Sequence, residues 1–282
     1  MGIRSDLHLH AWALVAAAKR EWRVARRYPD VFIGAVAWPV VTPVVFVFQA
    51  RASIGHGTPG RTGQTIPTDS VHLAVFLYLG WLVASWLALL LTESSASLSG
   101  QRVQGSLETT LLSPATRLTL LFGLAPVLLV TGALSYIAVL LALVMGFGAH
   151  IALSSALAGG LVILLAGPTL AAIAAAAGTT TLFMRRSGGL VDIARALSVT
   201  FCGFTAPLAI MPSWAAKIGR LLPPTWTVNA LRNTMFGGPS KTDWTRLSLL
   251  LIGTFLAISA LSLAAFAAGE QRGRRSGTLG GV

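Results

Sequence analysis

The chain has 282 residues, 54% of them hydrophobic and only 11% charged, and its mean hydropathy is +0.73. That balance excludes an ordinary soluble domain. The net charge of +12 comes from 21 Lys and Arg against nine Asp and Glu; no polar stretch is long enough to fold as a basic nucleic-acid-binding domain, so the charge points to an anionic membrane surface.

In chain order, the first expected element is an amphipathic helix over residues 11–28, within a cytoplasmic segment 1–30. Leu14, Val15, Ala18, Trp22 and Ala25 share one sector of the helix, while Lys19, Arg20, Arg23, Arg26 and Arg27 share another. Residues 11–18 superficially resemble a secretory leader. The apolar run is short, however, and five basic residues follow it directly, which resists translocation. The segment is expected to lie on the inner leaflet with Trp12 and Trp22 at headgroup depth. A plain anchor and a docking element both fit that pattern.

Six apolar stretches come next, at 31–49, 71–91, 118–146, 151–183, 189–211 and 247–268. Each is near or beyond the roughly 20 residues needed to cross the hydrocarbon core. They form one domain, 31–268, with a cytoplasmic tail over 269–282. Pro126 and the pair Gly167-Pro168 are expected kink points. With the amino terminus inside, 14 Lys and Arg fall on the cytoplasmic side and seven outside, so both termini are expected in the cytoplasm. The single cysteine, Cys202, excludes an intrachain disulfide framework.

The loop between the second and third stretches reads TESSASLSGQRVQGSLETTLLSPATR. Gly100 and Gly105 are expected to break the long helices, and Ser106 can cap a new one. Leu107, Leu111 and Leu112 then share a face beside Glu108, and Pro114 limits the helix to about two turns. This is either a short lever held between two rigid spans or a capped turn packed on its own bundle.

No Asp or Glu lies deep inside an expected span, which disfavours coupling to an ion gradient. The five histidines do not cluster at metal spacing, and no nucleotide loop is complete. The chain therefore has no evident engine of its own, and energy is expected from a partner.

Two regions carry a family resemblance. QRVQGSLETTLLSPATR, with Arg102, the core Gly105-Ser106-Leu107-Glu108, the pair Leu111-Leu112 and Pro114, resembles the coupling region of type-2 ABC exporter permeases. APLAIMPSWAAKIGRLLPPTWTVNALRNTMFGG resembles the same family's outer motif through Pro207, Pro212, Trp214, Pro223, Pro224, Thr225, Ala230, Leu231 and Arg232. Its length and outer motif are most similar to the daunorubicin-type drug-export branch.

The resemblance implies an all-α integral membrane fold. Its parts are six transmembrane helices, an interfacial amino-terminal helix, a cytoplasmic coupling helix near 105–113, and re-entrant helices over 212–238 before the last span. It also implies two ABC ATP-binding subunits, with ATP and magnesium bound there and no cofactor on this chain, and a second copy or a sister permease. Cargo would pass near the second and fifth spans, where Trp81, Trp86, Phe201 and Phe204 could line the path or simply pack. The expected function is ATP-driven export of a hydrophobic or amphiphilic molecule across a bacterial plasma membrane. Export of polysaccharide or lipo-oligosaccharide, ion-coupled transport, and a membrane enzyme acting on lipids are the alternatives.

Overall fold

The computed structural model describes residues 15–16, 19–20, 22–23, 26–27, 29–54, 70–103, 122–183 and 188–276. Among them the regular structure is helical, with no strand. The helices are α1 (Pro29–Val41), α2 (Pro43–Ile54), α3 (Ser70–Val103), α4 (Ala125–Phe147), α5 (Leu153–Phe183), α6 (Gly188–Phe201), α7 (Ser213–Leu221), α8 (Pro223–Gly237) and α9 (Trp244–Ser276). Single 3-10 turns at Leu208–Ile210 and Pro239–Lys241 precede α7 and α9.

Five segments among the described residues are long and apolar enough to cross a membrane: Phe32–Gln49, Val71–Ser97, Ala125–Phe147, Leu153–Thr180 and Trp244–Ala268. The first is broken between α1 and α2. Pro43 has no N–H to continue the ladder, and Thr42 closes the break by giving both its N–H (3.1 Å) and its hydroxyl (2.9 Å) to Trp38 O.

Three boundaries differ from expectation. The stretch 189–211 is helical only from Gly188 to Phe201, 14 residues, or about 21 Å at 1.5 Å per residue. Gly203 takes φ 71° and Pro207 is extended, so the backbone turns although the sequence stays apolar. Gly100 does not stop α3, which runs on to Val103; a lone glycine costs only ~1 kcal/mol against alanine, too little to end a long helix. Pro126 opens α4 rather than kinking it, because the first helical turn needs no N–H there. Pro168, by contrast, does lie inside α5.

α3 is the axis of the bundle. It is apolar on all sides, so it can bury Leu79, Leu82, Val83, Trp86, Leu87 and Leu90 against α4, α5, α6, α8 and the α1–α2 pair. Between helices in lipid the hydrophobic effect gives little, and close approach through small residues does the work. Gly132 of α4 lies flat on the Trp86 ring, where a Cβ would collide. The Trp86 Nε1–H donates to Leu128 O at 3.0 Å. Tyr136 of α4 reaches over Gly159 of α5 and donates its hydroxyl to Ala156 O at 2.7 Å. α9 packs mainly on α5, fastened where Thr169 Oγ1 donates to Leu251 O at 2.9 Å.

The expected antiparallel order gathers at one end the starts of α3, α5 and α9, the ends of α4 and α6, and the α7–α8 hairpin. Contacts between Tyr78 and Phe147 (5.5 Å) and between His72 and Phe236 (5.8 Å) fix that end.

Candidate functional site

The hairpin end is built from proline and glycine. Pro223 and Pro224 occupy the first turn of α8, where their missing N–H groups cost nothing, and both are buried. α7 turns Ala215, Ala216 and Gly219 inward. A Cβ on Gly219 would collide with Phe201 O, so glycine lets α7 lie across the end of α6. Trp214, 60% exposed, meets Phe201 edge-on at 5.9 Å, and Trp226 Nε1–H donates to Arg220 O at 2.7 Å to close the hairpin.

Arg232 of α8 stands at the centre, only 8% exposed. Its Nη1 donates to Gly203 O at 2.8 Å, and its Nη2 to Phe204 O at 2.6 Å and to Phe76 O at 3.1 Å. The guanidinium carbon lies 3.4 Å from the centre of the Phe76 ring. The charge is held by main-chain oxygens: two just past the carboxyl end of α6, where the helix dipole favours a cation, and one inside α3. Gly80 makes the arrangement possible, since a Cβ there would collide with Phe204 O and crowd Nη2. One side chain thus ties α3, α6 and α8 together. Nothing in this cluster is set up for bond-making chemistry; it is a mechanical joint.

The other residues singled out by sequence fall as follows. Pro207 is half-buried and Pro212 is exposed, flanking the turn into α7. Arg20, Trp22, Arg23, Arg26 and Arg27 are helical and exposed. Arg23 Nε–H donates to Lys19 O at 3.3 Å, and Trp22 meets Phe32 edge-on at 6.5 Å. Trp12 lies outside the described residues, as do Gly105, Ser106, Leu107, Glu108, Leu111, Leu112 and Pro114. Arg102 belongs to the last turn of α3.

Of the four aromatics available to a pathway, Trp86 and Phe204 are buried inside the protein and pack there. Trp81 leans on Phe46 at 5.1 Å and Phe201 on Trp214. Sequence reasoning missed Gly80 and Phe76. The one available signal was an isolated glycine inside an apolar helix, which marks a close backbone approach.

A family model described as ABC-2 type transporter matches residues 13–236. The chain belongs to the ABC-2 type transporter family. It is a multi-pass membrane protein and a permease subunit, not itself a catalyst, and membership implies association with ABC ATP-binding subunits. The matched region takes in α1 to α8, all but the last residue of α8, and does not reach α9. No curated protein matches the chain.

Proposed function

We propose that this ABC-2 permease exports a hydrophobic or amphiphilic molecule, such as a drug, an antibiotic or a lipid-linked compound, by alternating access. Two ATP-binding subunits dock from the cytoplasm and carry the ATP and magnesium, and the permease pairs with a second copy or a sister chain. The helix over 11–28 and the short helix near 105–113 are the contact points. Closure of the ATPases pushes the coupling helices together, and the two permease halves rearrange around the cargo.

The family match is the observation that carries this reading. Two features agree with it. α3 continues twelve residues past Leu91 as the polar helix TESSASLSGQRV, a stiff arm of about 18 Å leading toward the coupling segment. Arg232 meets α3 at Phe76 and Gly80, the latter about 14 Å into the apolar run that starts at Val71, close to half a bilayer core. Non-helical backbone at such depth is tolerated when packed on protein, so α7 and α8 are read as re-entrant and α6 as the fifth crossing. Thirteen of the basic residues then lie inside, Arg195 standing within α6 and paired with Asp192 at 3.0 Å, with both termini in the cytoplasm of a bacterial plasma membrane. The outer motif favours the drug-export branch.

The test is a pull-down of the tagged chain from mild detergent, co-expressed with an ABC ATP-binding subunit, with ATPase activity read on the eluate. Co-purification that is lost in Leu111→Asp is expected. Wild-type and variant chains that capture equal ATPase, or none, would refute the coupling role.

A further inference from the structure

A cavity of about 300 Å³ opens between α8 and the start of α9, on the side of the hairpin end away from Arg232. That volume is at the lower end of pockets that hold small molecules. Its polar wall is unusual for a surface this apolar. Asn229 and Asn233 stand one turn apart on α8, and Thr242, Asp243 and Arg246 face them from the first turn of α9 and the residues before it.

Thr242 is only 7% exposed, lines the cavity, and its Oγ1 has no hydrogen-bond partner. A buried orphan hydroxyl carries an unrecovered desolvation cost unless something satisfies it. Asp243 Oδ1 accepts the Arg246 backbone N–H at 3.0 Å, capping α9. That bond leaves the second carboxylate oxygen and the guanidinium open, and the two side chains form no ion pair among the described residues. An anionic and a cationic group therefore sit about one helical turn apart on a cavity wall that also carries an unused hydroxyl.

The opposite wall is apolar. Trp226 forms one side with its indole N–H already committed to Arg220 O, and Leu247 and Leu250 form the floor. From Leu250 an exposed apolar stripe leads away along α9 through Ala257 and Leu261. Spacings of seven and eleven residues keep these three on one face. A ligand that suits the whole feature carries both charges on a compact head and apolar chains beyond it.

We propose that this cavity holds the headgroup of a zwitterionic aminophospholipid from the leaflet at the hairpin end. The phosphate would meet the Arg246 guanidinium and the Thr242 hydroxyl, and the ammonium would donate to Asp243 and to the Asn229 and Asn233 carbonyls. The acyl chains would follow the α9 stripe. A trimethylated amine has no N–H to give these acceptors, and an anionic headgroup without an amine leaves Asp243 unmatched. The proposal stands apart from the transport reading, because the cavity is lined by α8, α9 and the residues just before α9, and not by α3 or α6 beside the expected path.

The test is native mass spectrometry of the purified full chain. It is incubated with phosphatidylethanolamine, phosphatidylcholine or phosphatidylglycerol of identical acyl chains. Phosphatidylethanolamine is expected to be retained about tenfold better than either, the effect of one well-matched charged contact. Asp243→Asn, whose amide oxygen can still accept the Arg246 N–H that caps α9, and Asn233→Leu, on the exposed side of α8, should each abolish that preference at unchanged melting temperature and elution volume. Arg246→Gln and the isosteric Thr242→Val, which touch the phosphate common to all three lipids, should instead weaken retention of each. Equal retention of the three lipids, or a preference that survives Asp243→Asn and Asn233→Leu, overturns the proposal. Glycerophosphoethanolamine added as competitor distinguishes the source. Displacement only at large excess supports the lipid, and displacement at equal concentration overturns it in favour of a soluble phosphoamine.

Discussion

Replacing Arg232 with methionine removes the joint between α3, α6 and α8 while keeping most of the side-chain volume. The guanidinium makes three hydrogen bonds at 2.6–3.1 Å to main-chain oxygens. Each is worth about 1.5–3 kcal/mol as a charge-assisted bond. Relief of the buried charge returns several kcal/mol, so the net loss is about 3–5 kcal/mol, the range for breaking a buried charged contact. At about 2–4 °C per kcal/mol for a chain of this size, the melting temperature should fall by roughly 6–20 °C. Fluorescence-detected size exclusion of heated, detergent-purified protein measures it. Arg232→Lys should fall between the two, because a single ammonium cannot span three carbonyls in that geometry. If Arg232→Met melts within about 2 °C of the wild type, less than one kcal/mol, the joint carries no stability and the argument fails.

Three further outcomes are expected. Gly132→Leu drives a side chain into the Trp86 ring and should cost about 1–3 kcal/mol by overpacking; in a Trp86→Ala background the penalty should shrink by more than half, and additive penalties would refute the contact. Thr169→Val removes the hydroxyl bond to Leu251 O and should cost about 0.6–1.7 kcal/mol, read as a small drop in melting temperature and earlier proteolytic release of α9. Trp214→Ala touches an exposed ring that packs on Phe201; assembly with the ATPase should persist while export of a fluorescent hydrophobic cargo falls, and unchanged export would remove Trp214 from the mechanism.

Much of the helical architecture was legible because its signals are local. Long apolar runs and the double proline that opens α8 act through the backbone of their own segment; the break at Pro43 does not interrupt the apolar run around it, and the stretch 31–49 reads as one span. The end of α6 was less legible. Leu208, Ala209, Ile210 and Met211 keep the composition apolar after Gly203 has already turned the chain, and hydropathy does not register that turn. Gly100 misled for the opposite reason: a single glycine is too weak a breaker to end so long a helix. At the hairpin end Arg232 was recognisable as a motif residue, but what it grips was not. The coupling segment around Glu108 lies outside the described residues, so its geometry rests on sequence.

The grip of Arg232 on carbonyl oxygens has an evolutionary consequence. Every amino acid carries the same carbonyl, so the receiving half of the joint leaves no trace in residue identity at position 204. A saturation screen should find the joint brittle at Arg232 and Gly80. At Phe204 it should answer only to changes in packing, and at Phe76 also to loss of the ring beneath the guanidinium. What would cut the receiving half is a shift in register: one residue inserted between Phe201 and Gly203 would move both acceptors away from the guanidinium at once.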